Sequence, residues 1–326
     1  MGEAPTFADV LEARRTIAPH LRPTPLHRWA GLESLVGTEV WVKHENHQPV
    51  GAFKVRGGVN LVARLTDDER ARGVVTASTG NHGQSIAFAS RLFVVHAVIC
   101  VPEGANPAKV GAIEALGAEI VVAGKDFDEA REHCEGLAGE HGYRYVYSGN
   151  EPHLIAGVAT ETLEILEDEP SVEVVIVPIG GGSGAAGACL AAKAVDPSIE
   201  VIGVQSEAAP AAYRAWKEGA LVEDRMETIA EGLATRVAFD LPQRIMRELL
   251  DDFVLVSDHE LQTAVVAMLD HTRNLVEPAG AAPLAAALRL RERLAGRRVA
   301  LVCSGGNITR AQLETALAAA RDGARP

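Results

Sequence analysis

Short apolar runs alternate with segments of helix length between residues 73 and 147. The runs are rich in β-branched residues and apolar throughout, a pattern typical of parallel strands with helices on both faces. The predicted strands are 73–78, 95–101, 120–123 and 143–147, and the predicted helices are 81–92, 107–116 and 127–141. This part of the chain therefore predicts a parallel sheet covered by helices.

A second series of the same kind begins after Gly149. Its predicted strands are 172–179, 200–205, 253–256 and 299–303, and its predicted helices are 258–271, 278–293, 308–321 and one that ends near Val195. Residues 208–252 are predicted to be mostly helical, with breaks at Gly219 and Gly232. Before both series, the pattern predicts a helix from a Thr6 N-cap to about His20, a strand at 40–43 and a helix at 55–65.

The two series together predict an α/β fold with two doubly wound, mostly parallel sheets. No break in composition separates them. A cleft between two such units is the default ligand site. Ligands in these sheets bind at the carboxyl ends of the strands, near helix N-termini.

Charge and composition narrow the function. The 326 residues carry a net charge of −13, which argues against binding to a nucleic-acid backbone. We find no apolar run of the ~18 residues that a membrane span needs and no signal peptide. The four cysteines form no CxxC pair, and we expect Cys100 and Cys303 to be buried and reduced. We therefore predict a cytoplasmic enzyme or binding protein.

A lysine stands in the glycine-flanked loop 49–58, whose sequence is PVGAFKVRGG. Arginine supplies most of the positive charge in the chain, so Lys54 is an unusual choice there. An amine can capture a carbonyl as an imine, which a guanidinium cannot do. The alternative for this decapeptide alone is a surface lysine at the start of a helix.

Three further loops each follow a strand and precede a helix. Residues 78–84, STGNHGQ, suit a carboxylate because small residues at a helix N-terminus expose N–H groups, although a plain N-cap explains them equally well. Residues 180–187, GGGSGAAG, let the backbone approach a phosphate closely. Residues 303–307, CSGGN, put a hydroxyl at the end of a strand, where a simple turn is the alternative.

The second of these loops also matches the dinucleotide fingerprint GxGxxG. Glu207 follows at about the spacing expected of a ribose-binding carboxylate, but it lies beyond the end of the predicted strand. A nicotinamide cofactor also leaves Lys54 unexplained. Pyridoxal phosphate, with one aldehyde, one phosphate and one ring nitrogen, makes use of the lysine and all three loops.

In these motifs the chain resembles the fold-type II pyridoxal-phosphate enzymes, specifically the serine/threonine dehydratase and serine racemase family. The resemblance covers nearly the whole length, in matching order and spacing. It includes residues 22–26, 43–46, 51–57, 78–84, 180–184, 277–278 and 304–307. It implies a tryptophan synthase beta-like architecture with the cofactor in the cleft between the domains. We place the large cofactor-binding domain at 1–48 and 150–326 and the smaller, substrate-side domain at 49–149.

The resemblance also implies a role for each site residue. Lys54 would bind the cofactor aldehyde and later remove the substrate's α-proton. The other expected cofactor contacts are Phe53, Asn81 at the phenolic oxygen, Gly180, Gly181, Gly182, Ser183 and Gly184 at the phosphate, and Ser304 at the pyridine nitrogen. The substrate carboxylate would lie on Ser78, Thr79, Gly80, Asn81 and His82. A serine at the ring nitrogen favours loss of a β-substituent over transamination.

The implied activity is that of a lyase, a dehydratase that converts a 3-hydroxy amino acid such as L-threonine or L-serine to a 2-oxo acid and ammonia. The family proposal is that the cofactor phosphate protonates the departing hydroxyl. Alternatives are a dehydratase for phenylserine, hydroxyaspartate or an intermediate of hydroxyectoine catabolism, and a serine racemase. A NAD-dependent oxidoreductase and a two-lobed binding protein are the rivals from other classes. The expected partners are a small amino acid and a second copy of the chain, as a homodimer or higher homo-oligomer.

Several positions depart from the family pattern. Ser183 and Gly184 replace the usual glycine followed by leucine or methionine, and His44 and His47 stand where apolar residues are common. These histidines either line the substrate pocket or lie in a surface loop. Gln205 and Ala211 align with acidic ligands of a divalent cation in racemase-like members, so we predict no metal site. Thr79 keeps a hydroxyl that racemases use as a second proton donor, but its β-methyl restricts the rotamer.

Overall fold

The structure is a computed structural model that describes residues 2–323. Its ten strands in this range form two separate sheets. The larger sheet contains β1 (Leu26–Arg28), β2 (Glu39–His44), β7 (Val174–Pro178), β8 (Glu200–Ser206), β9 (Asp252–Val256) and β10 (Arg298–Cys303). Their order across the sheet is β1-β2-β10-β7-β8-β9, and only the pairing of β1 with β2 is antiparallel.

The smaller sheet is parallel throughout. It contains β3 (Val74–Ala77), β4 (Ala97–Val101), β5 (Glu119–Val122) and β6 (Arg144–Tyr145), in the order β5-β4-β3-β6. All four strands lie within the range expected for the smaller domain, although the exact domain limits stay a prediction. The two central strands, β3 and β4, are buried along their whole length, whereas the outer strands β5 and β6 are partly exposed.

The helices in the first half are α1 (Phe7–Ile17), α2 (Ala30–Val36), α3 (Lys54–Ala63), α4 (Asp67–Arg72), α5 (Asn81–Phe93), α6 (Pro107–Ala115), α7 (Phe127–His141) and α8 (Pro152–Asp168). Those in the second half are α9 (Ser183–Val195), α10 (Ala211–Glu218), α11 (Asp240–Leu249), α12 (Asp258–Thr272), α13 (Pro278–Arg289), α14 (Arg291–Leu294) and α15 (Arg310–Gly323). No helix in the described part of the chain has the length and apolar character needed to cross a bilayer.

The structure corrects the prediction for residues 208–252. Only α10, α11 and a short 3-10 helix at Glu231–Leu233 are helical there, and most of the segment between α10 and α11 has no regular structure. Gly219 ends α10 in the left-handed conformation, at φ 74°. The irregular segment crosses the loop after β7, where the carbonyl oxygen of Gly232 lies against Gly180.

Helix α8 was not predicted, and it lies in the centre of the molecule. Pro152 occupies its first turn, and most of its residues are buried. A Cβ on Gly157 would lie 2.7 Å from the carbonyl oxygen of Arg56, and a Cβ on Gly187 would lie 2.9 Å from the nitrogen of Ala159. Because glycines let α3, α8 and α9 approach so closely, the first turn of α3 is held near the first turn of α9.

Candidate active site

Backbone hydrogen bonds join the Lys54 loop to the loop that follows β10. The N–H of Phe53 donates to the carbonyl oxygen of Ser304 at 2.9 Å, and the N–H of Gly306 donates to that of Gly51 at 2.9 Å. Ala52 and Gly305 form an antiparallel bridge between these contacts. Two loops some 250 residues apart in the sequence are therefore joined next to the Lys54 side chain.

The Lys54 amine points to the start of α9. Its Nζ donates to Ser183 Oγ at 2.8 Å and to the carbonyl oxygen of Ser148 at 3.1 Å. The Phe53 ring lies 5.4 Å from the amine, measured to the ring centroid. Burial lowers the pKa of Lys54 to about 8, against an opposing effect of Glu161. A substantial fraction of this amine is therefore neutral near pH 8, as a nucleophile or a base requires.

The glycine loop before α9 leaves a row of donors free. None of the N–H groups of residues 181–185 donates a hydrogen bond to another described residue. A Cβ on Gly180 would lie 2.2 Å from the Gly232 carbonyl oxygen, and one on Gly181 would lie 2.8 Å from the Phe239 ring. Gly182 adopts φ 90°. Glycine is thus required by space and by backbone conformation, and the free donors at a helix N-terminus fit a phosphate.

A second set of free donors lies in the loop before α5. Ser78 Oγ accepts hydrogen bonds from the N–H groups of Gly80 at 3.2 Å and Gly83 at 3.0 Å, so this side chain caps the helix. The N–H groups of Thr79, Asn81 and His82 have no acceptor among the described residues. They fit an anion smaller than a phosphate, such as a carboxylate.

Hydrogen bonds fix both the oxygen and the nitrogen of the Asn81 side-chain amide. Its Oδ1 accepts from Asn307 Nδ2 at 2.7 Å, and its Nδ2 donates to Glu277 Oε1 at 2.7 Å. These two contacts assign the orientation of the amide and leave one N–H free. Burial raises the pKa of Glu277. Neither Asn307 nor Glu277 had been given a role from the sequence, although both lie in motifs singled out there.

The side chain of His82 does not face the free donors. It is buried, with Nε2 3.1 Å from Thr76 Oγ1, and burial together with the nearby Lys54 charge lowers its pKa to about 3. Of the polar groups of His82, only the backbone N–H is one of these free donors. The hydroxyls of Thr79 and Ser304 have no partner among the described residues, and Ser304 is 3% exposed.

The two histidines left open by the sequence lie side by side beneath the Ser304 loop. Their rings stack with centroids 5.2 Å apart. His44 is buried and its Nε2 accepts from Trp29 Nε1 at 3.1 Å, while His47 is exposed and contacts Asn274. Burial lowers the pKa of His44 to about 4, so it is neutral at physiological pH.

Gln205, which the resemblance aligns with a cation ligand, uses its amide to join two segments of the backbone. Gln205 is fully buried, its Nε2 donates to the carbonyl oxygen of Leu233 at 3.3 Å, and its Oε1 accepts from the N–H of Tyr213 at 3.0 Å. Ala211 is also buried. No carboxylate, histidine or cysteine cluster suited to a metal occurs in residues 2–323.

A buried ion network that the sequence did not reveal supports the first turn of α3. The guanidinium of Arg56 donates to both carboxylate oxygens of Glu45, each at 2.8 Å, and to both of Glu164, each at 2.7 Å. Lys43 Nζ adds a contact to Glu164 at 2.6 Å. A third carboxyl, Glu161, is buried beside them with Oε2 unpartnered among the described residues.

The residues present fit pyridoxal phosphate. The amine of Lys54, with its lowered pKa, suits the cofactor's aldehyde, the free N–H groups of 181–185 suit its phosphate, and the hydroxyl of Ser304 suits a ring nitrogen that stays unprotonated. The sequence profile of the family described as "Pyridoxal-phosphate dependent enzyme" matches residues 17–305. The chain belongs to this family.

Individual pyridoxal-phosphate enzymes are similar to this chain in sequence and in structure. The L-threonine ammonia-lyase of Thermotoga maritima is 39% identical, over 93% of this chain and 76% of its own length. The L-threo-3-hydroxyaspartate ammonia-lyase of Saccharomyces cerevisiae is 34% identical over 98% of both chains. The structure of maize serine racemase superposes with a TM-score of 0.91 at 30% identity, covering 98% of this chain and 99% of its own.

These relationships confirm the predicted fold class, family and cofactor. The chain is a pyridoxal-phosphate lyase of fold type II, with two doubly wound, mostly parallel sheets. The nicotinamide oxidoreductase and the cofactor-free binding protein are set aside. Site assignments for individual residues stay predictions.

Proposed function

We propose that this lyase converts a 3-hydroxy amino acid, such as L-threonine or L-serine, to a 2-oxo acid and ammonia by β-elimination. The observation that carries the proposal is the Lys54 amine, 2.8 Å from Ser183 Oγ at the start of α9, together with two separate sets of free N–H donors. One set suits the cofactor phosphate and the other the substrate carboxylate. The names of the relatives from Thermotoga and yeast support this reaction class.

Pyridoxal phosphate supplies an aldehyde for the substrate amine and a conjugated ring that stabilises negative charge at the α-carbon. The chain's own residues do the rest. The N–H groups of Thr79, Asn81 and His82 bind the carboxylate and orient the α-hydrogen, and Lys54 Nζ accepts that hydrogen as a proton. Asn81, fixed by Glu277 and Asn307, presents its free N–H to the phenolic oxygen.

Lys54 is the lysine expected to bind the cofactor. Lys43 is buried and paired with Glu164, and Lys109 is paired with Glu231, so neither amine is available. Borohydride reduction of the holoenzyme followed by peptide mapping should place the pyridoxyl group on Lys54. A label on Lys43 or Lys109 contradicts the assignment.

A panel of substrates, scored by 2-oxo acid release, tests the activity. It should contain L-threonine, L-serine, phenylserine, 3-hydroxyaspartate and a hydroxy amino acid derived from hydroxyectoine. Release from at least one of them, and none by a Lys54→Ala variant, is the expected result. If no member of the panel releases a 2-oxo acid, the proposal is contradicted.

The proposal also places the enzyme in the cytoplasm as a homodimer or higher homo-oligomer. The four buried cysteines, none in a disulfide, fit a reducing compartment.

Serine racemisation is the second candidate, favoured by the likeness to maize serine racemase and by the hydroxyl of Thr79. Elimination should dominate, because the β-methyl of Thr79 restricts the direction of its hydroxyl. Chiral chromatography beside the 2-oxo acid assay measures both products, in the wild type and in Thr79→Ala. We expect mainly 2-oxo acid from both. Equal or greater formation of the D-isomer by the wild type reverses the ranking, and loss of elimination in Thr79→Ala gives the hydroxyl a different role.

A further inference from the structure

An ion pair joins the helices of the smaller sheet to a segment packed on the larger sheet. Lys109 lies in the first turn of α6, which follows β4. Its Nζ donates to Glu231 Oε2 at 2.5 Å. Glu231 lies in the irregular segment between α10 and α11, 122 residues further along the chain. Neither residue has a role in the sites described above.

The loop that carries Glu231 is fixed to the larger sheet. Residues 223–237, which we call the crossing loop, close on themselves through an antiparallel bridge between their two end residues. Asp258, the first residue of α12, accepts hydrogen bonds from Thr228 Oγ1 at 2.6 Å and from the N–H of Ile229 at 2.9 Å. The crossing loop is therefore a compact loop with close ends, a kind that is often functional, and it presents Glu231 to α6.

Lys109 stands where a cation does not stabilise its own helix. The N-terminus of a helix carries a partial positive charge, and Lys109 is the third residue of α6. Asn106 already caps this helix, since its Oδ1 accepts from the N–H of Ala108 at 3.0 Å. Lys109 is nonetheless only 9% exposed. A nearly buried cation at this end is explained by Glu231 on the opposite surface and not by α6 itself.

The Lys109–Glu231 pair lies near the candidate active site. Because β3 and β4 are neighbouring parallel strands, the loop before α5 and the start of α6 leave the same edge of the smaller sheet. Burial raises the pKa of Glu277, the hydrogen bond from Asn81 opposes this, and the charges of Lys109 and Glu231 reach the same carboxyl with opposite signs. The pair is thus close to the contact that fixes the Asn81 amide.

A second ion pair joins the same two surfaces but is open to solvent. Arg236 of the crossing loop lies 3.5 Å from Asp128 of α7, and both side chains are about half exposed. Exposed pairs of this kind contribute little to stability. The two pairs therefore differ mainly in burial, which makes the outer pair a matched control for the inner one.

We propose that Lys109 and Glu231 are positioning residues whose ion pair holds the cleft between the two sheets closed over a bound amino acid. This inference rests on the proposed function, which supplies the amino acid. Opening separates α6 from the crossing loop and breaks the pair, so that substrate enters and product leaves. Closing restores the pair and holds the carboxylate-binding donors before α5 against the larger domain.

A purely structural role for the pair predicts a different pattern. Its loss would then lower the fraction of folded enzyme, so that kcat falls and KM stays constant. Loss of a closing contact instead lowers the population of the state that binds substrate, which weakens apparent affinity by the same factor. Saturating substrate closes the cleft again, so KM rises while kcat is retained.

The experiment measures kcat and KM for L-serine and L-threonine in the holoenzymes of Lys109→Ala, Glu231→Ala and the double variant. We expect KM to rise about fivefold in each single variant, the upper range for a partly exposed ion pair, with kcat nearly unchanged. The double variant should be no worse than either single one, because each removes the same contact. Lys109→Arg keeps the cation and should restore most of the affinity, and Arg236→Ala should leave KM unchanged.

An unchanged KM in Lys109→Ala overturns the proposal, as does a fall in kcat at constant KM. Effects that multiply in the double variant also overturn it, because they show that the two side chains act separately. L-Alanine has no β-leaving group, so its Kd, measured from the change in visible absorbance of the holoenzyme, tests closure without elimination. If the wild type releases no 2-oxo acid but Lys109→Ala weakens L-alanine binding about fivefold, the dehydratase activity is refuted and the closing contact stands. An unchanged Kd for L-alanine refutes the closing contact itself.

Discussion

Two buried carboxyls close to helix α3, which begins at Lys54, should respond in opposite ways to the same substitution. Glu45 is fully buried and paired with Arg56, which is 1% exposed. Glu161 is buried without an ion-pair partner among the described residues, and burial raises its pKa well above the usual glutamate range. With Glu161 neutral, Lys43 and Arg56 balance Glu45 and Glu164.

Glu45→Gln removes one negative charge from this balance and leaves a buried guanidinium partly uncompensated. Breaking a buried ion pair in this way costs about 3–5 kcal/mol. The lower end applies, because Arg56 keeps both contacts to Glu164, each at 2.7 Å. Unfolding entropy is about 2.1 cal/mol/K per residue, so for 326 residues a loss of ~3 kcal/mol lowers Tm by roughly 4 °C.

Glu161→Gln replaces a neutral acid with a neutral amide and should not destabilise the protein at neutral pH. In the folded protein the pKa of Glu161 is raised. Folding therefore takes up a proton when the pH lies between the ordinary glutamate value of 4.5 and the pKa of the folded state. Wild-type stability therefore falls by up to ~1.4 kcal/mol per pH unit as pH rises from there towards the folded pKa. The variant lacks this loss, so its advantage should grow with pH and vanish near pH 4.

Urea unfolding of the two variants and the wild type, followed by circular dichroism at several pH values, measures both effects. All three proteins need the same excess of pyridoxal phosphate, because bound cofactor adds to apparent stability. Equal destabilisation by Glu45→Gln and Glu161→Gln would refute the charge balance. So would a stability difference between wild type and Glu161→Gln that does not change with pH.

Two further predictions concern a metal and a strained residue. Exhaustive treatment with EDTA should leave activity nearly unchanged, because the amide of Gln205 bridges Leu233 and Tyr213 and cannot supply the negative charge that a divalent cation requires; loss of activity restored by Mg²⁺ contradicts this. Val94→Gly should raise the free energy of unfolding by about 1 kcal/mol, because Val94 is a β-branched residue at φ 57° with a side chain 91% exposed. A lower Tm in calorimetry of that variant would show that contacts of the valine outweigh its backbone strain.

The sequence predicted those features that local chemistry determines. Apolar runs located every strand except the short β1, which has no such run, and glycine and hydroxyl residues located the three loops, because each loop joins a strand to a helix N-terminus. The Thr6 cap, with Asp9 completing a capping box, is confirmed. These signals depend on residues close together along the chain.

Contacts between distant segments were beyond such reasoning. Asn307 and Glu277 lie 226 and 196 residues from Asn81, and no local pattern indicates that they fix its amide. Glu45 and Glu164 look like ordinary surface glutamates until the fold buries Arg56 between them. Helix α8 was not predicted, because the apolar runs predicted as strands at 143–147 and 172–179 give a stronger signal than the apolar positions between them.

The place of β10 in the larger sheet has a consequence for biosynthesis. Of the strands in residues 2–323, β10 is synthesised last, and it lies between the first long strand, β2, and β7. The pair β1-β2 and the group β7-β8-β9 cannot be joined into one sheet before residue 303 has been made. One edge of β2 therefore stays unpaired during most of translation. The Lys54 loop meets its Ser304 partner only at that moment. A chain released before β10 should therefore retain no cofactor, however well its smaller sheet has folded.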